Sequence, residues 1–274
     1  MNPPTAQFTD EAYTARFSGI QRLYGTREQS TLRQAHVCII GIGGVGSWTV
    51  EALARTGIGS LTLIDLDEVC ISNTNRQIHA VQGASGQPKV EVMARRAQAI
   101  NPACNIKPIQ QFFTASTAET LLATRFSCVV DAIDQVPQKT LLLAECHSRN
   151  IPVVTVGGAG GRRDPARIKT SDLALATHDR LLQEVRRRLR REHMFPAPNS
   201  PFGIPSVFSD EPQIFPTAEG GVSCERQANQ DLRLDCHSGY GTATFVTGTF
   251  GFAAAALAVN LILQTPTQPT PPPK

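Results

Sequence analysis

A glycine-rich turn, GIGGVG at residues 41–46, constrains the fold of this chain more than any other segment. The apolar run AHVCII precedes the turn, and the helical pattern SWTVEALAR follows it. In this setting Gly41 permits a tight turn, Gly43 lets the backbone approach a phosphate, and Gly46 lets the helix pack closely on the strand. Gly44 belongs to the same turn, and the helix N-terminus offers free N–H groups to an anion. The pattern predicts a nucleotide-binding strand–turn–helix unit.

Apolar strand-like runs alternate with helical patterns through the first 160 or so residues. The predicted strands lie in AHVCII, SLTLIDLD, NIKPIQQFF, SCVVDAID and IPVVTVGGAGG. This alternation predicts an α/β fold with a doubly wound, Rossmann-like and mostly parallel sheet. A C-terminal extension with an apolar final helix is expected to follow the sheet.

We expect a single domain over residues 1–264, with the nucleotide-binding core at 16–161 and a substrate and dimer extension at 162–264. Within the extension, the proline-broken stretch at 194–221 is expected to be a long loop. The proline-rich tail at 265–274 is expected to be disordered.

Composition bounds the class of protein without deciding its function. The net charge of +3 is too small to indicate a nucleic-acid partner by itself. Seven scattered cysteines include no CxxC pair, so a closely spaced structural zinc site is not expected. This cysteine usage favours a reducing, cytoplasmic setting, and the polar N-terminus predicts no signal peptide.

The stretch at 239–264 carries no charge over about the length of a transmembrane helix. Two interpretations stay open. The favoured one is a buried final helix, and the alternative is membrane association through this segment.

Acidic residues follow the predicted strands where a ligand would lie. Asp65 ends the second strand about 20 residues beyond the glycine turn, where an acid accepts hydrogen bonds from a ribose in both NAD and ATP sites. Asp67 and Asp134 also follow strand ends. Because the carboxyl ends of parallel strands share one edge, the three carboxylates are expected to converge.

Cationic and amide side chains near this edge favour a triphosphate over a dinucleotide. Arg76 can bind phosphate through two donors, and Lys89 supplies a mobile point charge. Asp134 would hold Mg²⁺ together with phosphate oxygens. On spacing alone, Asn73, Arg76 and Lys89 could also be solvated loop residues, and a nicotinamide-dependent oxidoreductase stays an alternative.

Four ordered motifs carry a resemblance to a known family. GIGGVG, LIDLDEVCISNTNRQ, GQPKVEV and DAIDQV resemble the ubiquitin-activating-enzyme-like adenylating family, which activates carboxylates with ATP and includes the molybdopterin-synthase adenylyltransferases. RFSGIQRLYG, TVGGAGG and DCHSGYGTATFVT resemble more narrowly its tRNA threonylcarbamoyladenosine dehydratases. That branch implies a ligase-type homodimer that uses ATP to cyclise the threonylcarbamoyl group on adenosine 37 of tRNA.

The resemblance also implies roles for individual residues. The glycine turn would bind phosphates, Asp65 ribose and Asp134 Mg²⁺. The remaining phosphate contacts would come from Asn73, Arg76 and Lys89. Of these, Arg76 and Lys89, with Asp134, would act in catalysis. An arginine near the N-terminus, Arg16 or Arg22, would reach the partner's site.

Two further features leave alternatives open. Cys236 lies next to His237, so a thioester route and a sulfur-transfer protein partner are considered. An adenylyltransferase for a ubiquitin-like sulfur-carrier protein is the alternative function, and the missing CxxC pairs count against it.

The basic helical pattern at 178–193 either contacts tRNA phosphates or forms a solvated face. Its candidate residues are Arg186, Arg187, Arg190 and Arg191.

Overall fold

A seven-stranded sheet forms the centre of the computed structural model, which describes residues 9–198, 200–217, 219–225 and 241–264. Its order is β3-β2-β1-β4-β5-β7-β6, with every neighbouring pair parallel except β6 and β7. The strands are β1 (His36–Ile40), β2 (Ser60–Ile64), β3 (Asn105–Ile109), β4 (Cys128–Asp131), β5 (Val153–Val156), β6 (Ile168–Asp172) and β7 (Pro205–Ser209). The predicted doubly wound, mostly parallel α/β fold is confirmed.

Helices cover both faces of this sheet. They are α1 (Asp10–Tyr24), α2 (Thr26–Gln34), α3 (Gly46–Arg55), α4 (Lys89–Ile100), α5 (Ala118–Leu121), α6 (Val136–Ser148), α7 (Arg180–His193) and α8 (Thr244–Gln264). The short strands β8 (Phe215–Pro216) and β9 (Val222–Ser223) pair with each other. One core cluster joins the sheet to α2, α3, α4 and α8, and a second joins it to α5, α6 and α7.

The strand sequences explain why both faces are covered. In β1, Val37 and Ile39 belong to the first cluster, whereas Cys38 and Ile40 belong to the second. Successive side chains of a strand point to opposite faces, so an unbroken apolar run buries both. The carboxyl ends of the parallel strands are therefore left as the place where polar side chains gather.

One prediction about the extension is wrong. The stretch at 194–221 is not a continuous loop, because β7 lies inside it and pairs with β5 on one side and β6 on the other. The only proline within β7, Pro205, is the first residue of the strand, a position where a missing N–H is tolerated. The four residues that follow are buried, so burial and pairing on both edges override the surrounding prolines.

The apolar segment forms α8, which packs against the sheet and α3. Gly251 permits this contact, because a Cβ at that position would lie 2.6 Å from the Cβ of Trp48. The helix is long and apolar enough to cross a membrane, but 56% of its most apolar window is buried inside the protein. This burial supports the interpretation of α8 as a core helix.

Candidate active site at the carboxyl edge of the sheet

The glycine turn adopts a conformation that its glycines make possible. Gly41 has φ of +91°, and a Cβ there would lie 2.7 Å from the carbonyl oxygen of Ala132. A Cβ at Gly46 would lie 1.8 Å from the carbonyl oxygen of Gly41. A Cβ at Gly43 would meet nothing within 4 Å. The turn is therefore packed on its inner side and open at Gly43, as a phosphate-binding turn requires.

Asp65 connects the end of β2 to this turn. Its Oδ2 accepts the N–H of Ile42 at 2.6 Å, and its Oδ1 accepts the N–H of Asp67 at 2.8 Å. Burial raises the pKa of Asp65, while Lys89 and the two backbone N–H groups oppose that rise. A carboxylate oxygen has further acceptor capacity. Asp65 can hold the turn in place and also accept hydrogen bonds from a ribose.

Lys89 begins α4 and brings its charge to the same edge. Its Nζ lies 2.7 Å from Oδ2 of Asp67, and only 8% of its side chain is exposed. The sequence predicts Lys89 and Asp67 as separate site residues, and the structure pairs them. A phosphate bound by Lys89 would either share the ammonium group with the Asp67 carboxylate or displace that carboxylate.

Arg76 lies over the glycine turn. A Cβ at Gly44 would lie 3.6 Å from Cγ and Cδ of Arg76, so the two predicted residues are neighbours. The Arg76 Nη1 donates to the carbonyl of Ser72 at 2.8 Å and to Oδ1 of Asn75 at 3.1 Å. Asn73 is buried, and its Oδ1 accepts the N–H of Cys70 at 2.9 Å. Asn73 therefore shapes the loop that carries Arg76.

Residues from α3 and the start of α8 anchor this loop. Nε1 of Trp48 and Oγ1 of Thr247 both donate to the carbonyl of Arg76, at 3.0 and 3.1 Å. Nδ2 of Asn75 donates to the carbonyl of Thr242 at 2.9 Å. No sequence motif indicates these contacts, because Thr247 lies 171 residues from Arg76.

Asp134 follows β4 and is exposed at the same edge. The backbone before it is fixed from inside the protein. Nζ of Lys139 donates to the carbonyl of Ile133 at 2.9 Å and lies 2.8 Å from Oδ2 of Asp131. Oγ1 of Thr155 donates to the same carboxylate at 2.7 Å. Lys139 and Asp131 are fully buried, so this pair holds the loop and leaves Asp134 accessible.

The basic helix α7 starts at the same edge. Asp179 caps the helix by accepting the N–H of Leu182 at 2.9 Å, and it also accepts the N–H of Gly158, just beyond β5, at 2.8 Å. The inner face of α7 is buried against α6. The outer face carries the four candidate arginines, which line one shallow depression together with Gln183: Arg186, Arg187, Arg190 and Arg191.

Some of these arginines already have partners. Arg187 pairs with Glu184 at 2.8 Å, and Arg191 contacts Glu192. Arg190 stacks on Phe202, 5.0 Å from the ring centroid. Burial and the neighbouring Arg190 lower the pKa of Arg186. The helix has six arginines and two glutamates, so its face stays strongly positive.

Comparison with known proteins identifies the family. The profile of the ThiF family matches residues 17–273. The chain belongs to the ThiF family. The tRNA threonylcarbamoyladenosine dehydratase of Escherichia coli strain K12 is 44% identical over 256 residues, which cover 92% of this chain and 95% of that relative. The dehydratase of the same name from Haemophilus influenzae is 45% identical over 253 residues, with the same coverage.

Solved structures agree with this assignment. The E. coli tRNA N6-threonylcarbamoyladenosine dehydratase TcdA, in complex with ATP, matches with a TM-score of 0.81 and 41% identity. The match covers 93% of this chain and 96% of that one, and the complex of TcdA with AMP gives the same values. The resemblance inferred from the motifs is confirmed for this ThiF-family chain.

Other predicted residues of this ThiF-family protein lie away from the glycine turn. The Nη1 of Arg16 donates to the carbonyl of Ile100 at 3.3 Å, close to the start of β3. Arg16 thus lies at the amino edge of the sheet, opposite the site of its own chain. Arg22 is exposed in the last turn of α1. Cys236 and His237 fall outside the described residues.

Proposed function

We propose that this protein uses ATP to activate the carboxylate of threonylcarbamoyladenosine at position 37 of tRNA and then closes that side chain into a ring. The observation that carries this proposal is the similarity to tRNA threonylcarbamoyladenosine dehydratases over 92% of the chain, which includes the extension beyond the nucleotide-binding core. Relatives with ATP and AMP bound support nucleotide binding, and the geometry of the glycine turn and Asp65 fits a nucleotide.

The first step is adenylation. A carboxylate oxygen attacks the α-phosphorus of ATP, the bond between that phosphorus and the bridging oxygen breaks, and pyrophosphate leaves. Negative charge grows on the phosphoryl oxygens, and Arg76 and Lys89 stabilise it from fixed positions. Asp65 holds the ribose and so orients the α-phosphate.

The second step is ring closure. A nucleophile within the same side chain attacks the activated carbonyl carbon, AMP leaves, and a proton is released. The net change in the nucleoside is the loss of one water. Both reacting groups belong to one side chain, so proximity favours closure without a protein nucleophile. A Cys236 thioester remains the alternative route.

Asp134 is the proposed Mg²⁺ ligand. The described residues contain no group of three His, Cys, Asp or Glu side chains that could hold a metal. An exposed carboxylate at the nucleotide edge fits an ion that takes one or two carboxylates and completes its shell with phosphate oxygens and water. Mg²⁺ would neutralise charge on the leaving pyrophosphate.

Helix α7 is the proposed tRNA-contacting surface. Its N-cap residue, Asp179, accepts the N–H of Gly158 at the nucleotide edge, and the helix extends about 21 Å from there at 1.5 Å per residue. A phosphate backbone along the outer face would place the substrate's modified base near the site. Such contacts predict affinity that falls steeply with salt.

We also propose a homodimer, because Arg16 lies opposite its own site and could serve a partner's. Exposed Phe245 and Phe252 on α8 would contribute apolar contact area.

The burial of α8 favours a cytoplasmic protein over a membrane-associated one. A sulfur-carrier adenylyltransferase, or a sulfur-transfer partner, stays a weaker alternative, because the dehydratase similarity extends through the substrate region.

The decisive experiment follows nucleotide turnover and the nucleoside mass together. The protein is incubated with α-labelled ATP, Mg²⁺ and tRNA that carries threonylcarbamoyladenosine, and in parallel with unmodified tRNA. We expect AMP only with the modified tRNA, and a nucleoside lighter by one water. AMP release without tRNA dependence would point to a different carboxylate, and no ATP use at all would refute adenylation.

A further inference from the structure

Arg162 is a buried cation that the proposed reaction does not yet use. Only 2% of the residue is exposed. Its Nη2 donates to the carbonyl of His178 at 2.7 Å, but Nε and Nη1 have no hydrogen-bond partner in the part of the chain that the structure describes. Buried polar groups are nearly always paired, so two unpaired guanidinium nitrogens need an explanation.

The acids around Arg162 are engaged elsewhere. Asp179 accepts backbone N–H groups from Gly158 and Leu182. Glu211 accepts those of Arg163, at 3.0 Å, and Asp164, at 2.9 Å. Within the described ranges no carboxylate forms an ion pair with Arg162. Asp179 and Glu211 attract the guanidinium electrostatically without a direct contact that an ion pair would require. Buried N–H donors that lack a direct acceptor are unfavourable, so a fold that keeps them favours the binding of an anion there.

The position of Arg162 indicates which anion. It lies on the glycine-rich loop that follows β5, and β5 is the direct neighbour of β4, whose end leads to Asp134. On its other side, His178 immediately precedes the cap of α7. Arg162 therefore lies on a loop that leaves the strand next to β4 and that is hydrogen bonded to the residue before the proposed tRNA-contacting helix.

We propose that Arg162 binds the carboxylate of the threonylcarbamoyl side chain and presents it to the α-phosphate of ATP. This inference rests on the proposed function and names the residue that recognises the reacting group. The planar guanidinium is suited to carboxylate oxygens, since each unpaired nitrogen supplies charge-assisted N–H donors. The nucleotide's own phosphates are the other source of anionic oxygen, and the experiment separates the two.

Entry to Arg162 requires movement of its surroundings, because so little of it is exposed. The carbonyl of Gly161 accepts the N–H of Ile214 at 3.0 Å, and its N–H donates to the carbonyl of Gly241 at 2.8 Å. These contacts join the loop to two later segments of the extension. Opening these two hydrogen bonds would admit the carboxylate, and their re-formation would exclude water from the site.

The test compares Arg162→Gln with wild type, and uses Arg163→Gln, an exposed neighbour, as the matched control. Three quantities are measured: kcat/KM for modified tRNA, the Kd of ATP, and the Kd of modified tRNA with its threonyl carboxylate free or methyl-esterified. In wild type and R163Q we expect the acid to bind about 10- to 100-fold more tightly than the ester. In R162Q that ratio falls close to one, kcat/KM falls by a similar factor, and the Kd of ATP stays within about twofold.

Each other outcome overturns the proposal. A weaker ATP affinity in R162Q with an unchanged acid-to-ester ratio would assign Arg162 to the nucleotide. Wild-type values throughout would make it structural. If R162Q does not fold, Arg162→Lys keeps the charge but moves the donors, and an undiminished ratio in R162K would reject guanidinium recognition. Failure of wild-type protein to convert modified tRNA would instead refute the proposed function, separately from this ratio.

Discussion

Replacing Lys139 with methionine isolates the buried ion pair behind Asp134. Lys139 and Asp131 are both fully buried, with Nζ 2.8 Å from Oδ2. In Lys139→Met the carboxylate keeps only Thr155 and the N–H of Ile133 as partners. Breaking a buried pair on one side costs about 3–5 kcal/mol, because the remaining charge is left uncompensated. At about 2–4 °C per kcal/mol for a chain near this size, Tm is expected to fall by roughly 6–20 °C.

The pH dependence gives this prediction a second test. Burial raises the pKa of Asp131 above its ordinary value, and Lys139 is the main influence that lowers it. Removing Lys139 raises that pKa further. A carboxyl group whose folded pKa is above its unfolded value, about 3.9, binds more protons in the native state, so stability falls as pH rises between the two values. The deficit of K139M should therefore be smaller at pH 5.5 than at pH 7.5.

Thermal and urea unfolding at the two pH values provide the assay. Lys169→Met is the matched control, because Lys169 pairs with Asp210 at the surface and such pairs contribute about 0–1 kcal/mol. A K139M protein as stable as K169M at pH 7.5, or a deficit that grows on acidification, would refute the reasoning. ATP affinity should also fall in K139M, because Lys139 holds the carbonyl of Ile133 beside Asp134.

Three further predictions concern the nucleotide and tRNA contacts. Gly46→Ala should lose both folding stability and ATP binding, because its Cβ would lie 1.8 Å from the carbonyl oxygen of Gly41. Gly43→Ala should fold normally and weaken only ATP binding, since a Cβ there meets nothing within 4 Å. Unfolding curves and ATP titrations of the two variants check this. Thr247→Val removes a donor to the Arg76 carbonyl and should raise the Kd of ATP about 3- to 10-fold, or roughly 1 kcal/mol. Thr249→Val is the control and should leave the Kd unchanged, because the Thr249 hydroxyl donates within its own helix. An equal Kd in the two variants would contradict the role of Thr247 in holding the loop of Arg76. Arg190→Gln should weaken tRNA binding and reduce the slope of log K against log salt by about one, with ATP binding unchanged; a slope equal to that of wild type would remove Arg190 from the interface.

Local patterns were sufficient to predict the framework of this protein. Short segments of sequence contain the signals for the alternating strands and helices and for the turn with Gly41 and Gly46, because the periods of strands and helices repeat within a few residues. Asp65, Asp67 and Asp134 could be assigned to one edge because parallel strands bring their carboxyl ends together. The family resemblance rests on the same ordered motifs, and the comparisons confirm it.

The tertiary structure decided what those patterns leave open. The prolines of the stretch at 194–221 suggested a loop, because the pairing of β7 between β5 and β6 depends on partners elsewhere in the chain. Thr247 donates to the carbonyl of Arg76 across 171 residues, and Lys139 meets Asp131 because α6 packs on the sheet. Arg162 looks like one more arginine in a loop until its burial and unpaired nitrogens are known. Burial and long-range hydrogen bonds belong to the assembled chain, and no short window of sequence contains them.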